Sequence, residues 1–105
     1  LDGRPTQMCI INNYMTTNIV QIGNTDNKLT QQEWSNFCTK IHLAIVRATK
    51  EIHFFGGASF DQPWQNSCVV FNSDNVEKLK EEVSSIGKLY KQDSIAWTEG
   101  ITQFI

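Results

Sequence analysis

The chain has none of the short motifs that would fix a chemistry. C-x-x-C, H-E-x-x-H, G-x-x-x-x-G-K-S/T and G-x-S-x-G are all missing. Zinc ribbons, zincins, P-loop NTPases and α/β-hydrolases therefore lack the ligand spacing or backbone turn on which they depend. There is no N-x-S/T acceptor site either. No apolar run approaches the roughly 18 to 20 residues that span a bilayer, so no membrane partner is expected. The opening Leu1-Asp2-Gly3-Arg4-Pro5-Thr6-Gln7 lacks the apolar stretch of a signal peptide. A dense basic stripe is also missing. The nine Lys and Arg are scattered and the net charge is −2, which leaves little for counterion release along a phosphate backbone, so no nucleic acid is expected. Blocks of like charge and low-complexity tracts, the marks of disorder, do not occur.

Cysteine is scarce and odd in number. Cys9, Cys38 and Cys68 lie far apart in a chain with enough apolar residues to fold without staples. They read as reduced, small buried hydrophobes, which fits a cytoplasmic location. A total of 105 residues is one domain by size, able to bury roughly two-thirds of the surface its unfolded form exposes. Residues 1–105 are read as one domain, with a flexible segment at 1–6.

Two helices announce their starts. In Leu29-Thr30-Gln31-Gln32-Glu33-Trp34, Thr30 is placed to accept a backbone N–H, Glu33 to reach back, and Leu29 to staple onto Trp34. Trp34, Phe37, Cys38, Ile41, Ala44, Ile45 and Ala48 then recur at three- and four-residue intervals, so the helix is expected to run to about Thr49. The second start is Ser73-Asp74-Asn75-Val76-Glu77, with Asp74 as cap and Glu77 as its partner. Its apolar stripe is Val76, Leu79, Val83, Ile86 and Tyr90. Gly87 falls inside it, marking either close packing or an early end.

Strand-like runs are Met8 to Asn12, Asn18 to Ile22, Glu51 to Phe55, Ser67 to Phe71, and Ser94 to Thr98, the last continuing or folding back through Ile101 to Phe104. A turn at Tyr14-Met15-Thr16-Thr17 would add an N-terminal hairpin strand. The order strand, helix, strand, strand, helix, strand closes most simply into an α+β fold, the ferredoxin-like plait (βαββαβ), an antiparallel sheet with both helices on one face. In the runs at 51–55 and 67–71, Ile52 and Phe54 alternate with His53 and Phe55, and Cys68 and Val70 with Val69 and Phe71. Both sheet faces are then apolar, and a homodimer through the face away from the helices is the expected cover.

The polar loop between the two middle runs is where recognition chemistry concentrates. Gly56 and Gly57 permit a sharp turn and an anion-binding nest, although ending a strand explains the pair equally well. Ser59, Asp61 and Gln65 add polar groups, and Trp64 after Pro63 offers a flat anchor. His53 beside the glycines is a candidate base near neutral pH. Cys38 and His42, four apart on a helix, and His53 have permissive metal-ligand spacing, but packing explains them better, so no metal and no cofactor are expected. Asn24-Thr25-Asp26-Asn27-Lys28 fails as a calcium loop, with Lys28 at the fifth position and no Gly at the sixth.

The expected function is that of a non-enzymatic binding or interaction domain. It would be a homodimer recognising a small ligand or protein partner through the 56–66 loop, with Gly56, Gly57, Ser59, Asp61, Trp64, Gln65 and Trp97 in contact. The alternative is a small cofactor-independent enzyme, an isomerase or oxygenase, with a pocket between sheet and helices. His53 would be its base, Asp61 or Asp93 its orienting carboxylate, and Trp97 a wall. An inhibitor or immunity-type protein is a third reading, weakened by the modest charge.

Overall fold

A computed structural model describes residues 10–11, 14–49, 51–57, 65–73 and 76–105. The elements in chain order are β1 (Ile10–Ile11), β2 (Tyr14–Gly23), α1 (Gln31–Ala48), β3 (Glu51–Gly56), β4 (Asn66–Asn72), α2 (Val76–Leu89) and β5 (Ala96–Gln103). The fold is mixed α+β, and among the described residues no helix is long and apolar enough to cross a membrane.

β2 is the centre of the sheet. Its residues Asn18 to Gly23 pair antiparallel with β4, and Tyr14 to Gln21 pair antiparallel with β5 on the opposite edge. β4 in turn pairs antiparallel with β3, which gives the order β3-β4-β2-β5. β1 pairs with Tyr14 and Met15, extending the β4 side of β2 beyond the end of β4. β2 and β3 are therefore parallel with β4 between them, and β4 and β5 are parallel with β2 between them. Each such pair is joined through a helix, so two strand–helix–strand units interleave.

The α1 start forms as its residues require. Glu33 N–H donates to Thr30 Oγ1 at 3.1 Å, and Thr30 N–H to Glu33 Oε1 at 2.9 Å. Those hydrogen bonds hold the Glu33 carboxyl below its usual range, the Thr30 backbone first. Thr49 caps the far end, its N–H on the Ile45 carbonyl. The proposed cap Asp74 lies outside the described residues, and α2 is described from Val76. α2 runs through Gly87 and ends with Lys91 in the left-handed region (φ 61°). Gln92 N–H reaches Gly87 O at 2.9 Å and Lys91 N–H reaches Lys88 O at 3.2 Å, a Schellman closure in which a lysine takes the place usually held by glycine.

Both helices pack on one sheet face. Val20 and Ile22 of β2 and Val69 and Phe71 of β4 meet Phe37, Ile41, Ala44 and Ile45 of α1 and Leu79 and Val83 of α2. Phe37 stacks on Tyr90 at 5.2 Å between ring centroids.

Two expectations need correction, and a third resolves. Tyr14 to Thr17 form no turn; they belong to β2, because the β-branched Thr16 and Thr17 pair with Ile101 and Gly100 of β5. Ile10 and Ile11 pair antiparallel with Met15 and Tyr14. Of the two courses expected for the last strand, continuing or folding back, the chain continues: β5 runs straight to Gln103, paired at every step. Finally, Ile52 and Phe54 do not share a face. Ile52 pairs with Phe71 and Phe54 with Val70, with a register shift between them at His53. This bulge turns Phe54, 54% exposed, away from the helices and brings Phe55 over them, where its ring meets His42 at 4.2 Å.

The loop from β3 to β4 is anchored at its described ends by close backbone approach. A Cβ on Gly57 would collide with the Asn66 carbonyl oxygen and lie 2.6 Å from Ser67 Cα, whereas one on Gly100 would meet nothing within 4 Å. Backbone atoms cannot give way as a side chain can. Gly57→Ala is expected to cost about 1 to 3 kcal/mol of stability in urea denaturation. Gly100→Ala should be neutral or stabilise by up to about 1 kcal/mol; equal effects would show that the 56–66 junction is not tight.

Candidate functional site

The C-terminal half of α2 and the start of β5 enclose a groove of about 260 Å³. Lys80, Ser84, Gly87 and Lys88 line it from the helix, at a spacing of four, three and one that places them on one side of α2. Trp97 lines it from the strand, and Asp93, Ser94 and Ile95 from the connection between. The missing side chain of Gly87 sets the separation of its walls. A Cβ there would lie 2.8 Å from Ile95 Cδ1, so the Ile95 side chain packs directly over the bare helix backbone at this turn.

Trp97 is fixed from behind. Its indole N–H donates to Asn18 Oδ1 at 3.3 Å, and Phe71 packs edge-on at 5.7 Å. Asn18 is 1% exposed, and its Nδ2 has no hydrogen-bond partner. The donor of the indole is thus spent inward. Lys80 Nζ stands 5.5 Å from the centre of the indole, within cation–π range. Lys80 is also bonded to Glu99 on β5, with Glu77 at 3.9 Å. The hydrogen bond that it donates to Glu99 holds the Lys80 ammonium above its usual range, so it is charged at neutral pH. Asp93 faces Lys28 Nζ at 3.4 Å, with both side chains open to water.

The residues expected to form a site are divided among three places. Trp97 and Asp93 share the groove. His53 lies on β3, on the opposite side of the sheet. Three strand spacings, about 14 Å, separate it from the β5 edge, so neither Trp97 nor Asp93 reaches it. Its Nδ1 is 3.2 Å from Glu51 Oε1. Gly56 and Gly57 stand at the end of the same edge strand. Ser59, Asp61 and Trp64 lie outside the described residues.

Gln65 is engaged in holding the loop before α1. Its Nε2 donates to Gln31 Oε1 at 2.8 Å, and its Oε1 accepts from Gln31 Nε2 at 3.0 Å and from Asn24 Nδ2 at 3.1 Å. Asn24, buried, also donates its backbone N–H to Gln65 O at 2.8 Å and clamps both polar groups of the Leu29 backbone. The stretch at 24–28 thus serves as a structural hinge into α1, with Asn27 in the left-handed conformation (φ 58°) that Asn tolerates.

Lys80 and Asn18 were missed by reading the sequence. Lys80 lies off the apolar stripe of α2, where charged residues read as solvated. The available signal was its register with Ser84 and Gly87, which share its side of the helix. Asn18 gave none: a polar residue at a strand start does not reveal that it will be sealed under an indole.

Among the described residues no three His, Cys, Asp or Glu gather to hold a metal. Cys38 is half-buried and unbridged, as is Cys68, and burial pushes the Cys38 thiol up to about 11. A neutral thiol is a poor ligand. The chain matches no known family model, and no similar protein was found among curated ones.

The raised thiol makes a pH prediction. The unfolded thiol ionises near 9.0 and the folded one near 11, so above pH 9 the unfolded state releases its proton first. The contribution is intact below that point and lost as pH rises through the folded value. Urea titrations across that interval should show stability falling, and Cys38→Ala should flatten the fall; an unchanged slope in the variant would assign it to other groups.

Proposed function

We propose that the chain is a non-enzymatic, small-ligand-binding domain built on the ferredoxin-like plait, with the groove between α2 and β5 as its site. The plait is supported by the strand order β3-β4-β2-β5 and by the two interleaved strand–helix–strand units. The observation that carries the site is a cavity where an indole and an ammonium border the same space, backed by a buried amide that fixes the indole. Sites of this kind are mostly apolar with a few placed polar groups. A binding role is favoured over catalysis by the separation of His53 on β3 from Asp93, which precedes β5 at the far edge of the sheet, while Asp61, the other carboxylate expected to orient His53, lies outside the described residues. At the described ends of the 56–66 loop, Gly57 lies against Asn66 and Ser67 and Gln65 bonds Gln31 and Asn24, so the groove is the site on which this proposal rests.

NMR of labelled protein against a library of small organic fragments tests this. Binding fragments should shift amides of residues 80–97 together, and Ser84→Trp, which fills the groove from a solvent-exposed position, should abolish binding while preserving the melting temperature. Shifts clustered elsewhere would overturn the assignment.

A second reading concerns assembly. Ile19, Cys68, Val70 and Phe54 form cross-strand neighbours facing away from the helices, and Phe54 is more than half exposed. A second copy of the chain laid on that face would cover them. Sedimentation should show a dimer at micromolar concentration that Phe54→Glu converts to monomer; a wild-type monomer would remove the reading.

A further inference from the structure

The groove's chemistry narrows its ligand. We infer that it takes a small apolar carboxylate, an aromatic one best, with the carboxylate on the Lys80 ammonium and the ring against Trp97. This rests on the groove being the ligand site. Lys80 carries three N–H donors. Glu99 engages it directly and Glu77 lies farther off at 3.9 Å, so a donor remains for a ligand without breaking the bond to Glu99. Lys80 is anchored yet 37% exposed, reachable from the cavity it lines.

Charge sets the sign. Two ammoniums, Lys80 and Lys88, and one carboxylate, Asp93, line the groove, and the Glu99 and Glu77 carboxylates engage Lys80 from outside that lining. Asp93 faces Lys28, while Lys88 has no ion-pair partner among the described residues. A cationic ligand would meet the Lys88 ammonium unopposed, and an anion would meet its attraction beside the remaining Lys80 donor.

The apolar part of the ligand follows from Trp97. Its N–H is turned to Asn18, so the indole offers a π surface and no donor. Val83 and Ile95 extend that surface along the same cavity. A flat ring gains both area burial and stacking there, and an aliphatic chain gains area alone. The volume of about 260 Å³ is just below the usual lower bound of about 300 Å³ for ligand pockets, which confines the occupant to a small molecule.

Isothermal titration calorimetry with three ligands of one shape provides the test: naphthylacetate, naphthylacetamide and naphthylethylamine. The acid should bind, the amide about tenfold more weakly and the amine more weakly still, since a charge-assisted hydrogen bond is lost and then a repulsion is added. Lys80→Met should bring the acid to the level of the amide and leave the amide unchanged. Lys80→Gln, which keeps a hydrogen-bond donor, provides a second variant, and far-ultraviolet circular dichroism checks that each is folded. Amide or amine binding as tightly as the acid would overturn the charge assignment and leave the groove as a site. Equal losses for acid and amide in Lys80→Met would also overturn it. Failure of all three to bind the wild type, with no fragment shifting residues 80–97, would overturn both readings.

Discussion

Everything in this molecule is referred to β2. It is hydrogen-bonded on both edges, to β4 along one and to β5 along the other, with β1 extending the first. A strand paired on both sides satisfies its backbone groups internally, so it can be buried and can define the positions of its neighbours. Both strand–helix–strand units straddle it: α1 leaves its C-terminal end to reach β3 beyond β4, and α2 carries the chain from β4 across it to β5. The helices are thereby brought side by side over Val20 and Ile22, the β2 residues in the core.

The groove is a consequence of this arrangement. Asn18 sits on β2 opposite Glu99, and Val20 opposite Trp97, so the residue that fixes the indole and the carboxylate that holds Lys80 are placed by one register. A shift of one residue would reverse every side chain of β5 and dissolve the site. On the helix side, Gly87 allows close approach to Ile95, and the Schellman closure at Lys91 returns the chain into β5. The wall separation is set by backbone geometry and the chemistry by three side chains that the backbone brings together.

Much of the scaffold was legible because it rests on local rules. The capping box at Thr30 and Glu33, the apolar stripes of both helices and the close packing at Gly87 each depend on residues within a few positions of one another, and each formed. The bulge at His53 was not legible. Alternation along 51–55 reads as a regular strand, and only pairing with β4 shows that one residue is extra, sending Ile52 and Phe54 to opposite faces. The extension of β2 back through Tyr14 was also decided by a partner. Thr16 and Thr17 suit a strand as well as a turn, and β5 selected the strand.

By itself the sequence determined the kinds of element, their order and the main apolar faces, because helical and strand periodicities are written over short distances. It also placed Trp97 and Asp93 among the residues of interest. Tertiary structure alone decided that these two border one groove with Lys80, and that His53, Gly57 and Gln65 do not. The distances that matter join residues 17 to 79 positions apart, Lys80 to Trp97 and Asn18 to Trp97, and at such separations no propensity acts. What brings them together is strand register and the packing of a helix over a sheet, which exist only once the chain has folded.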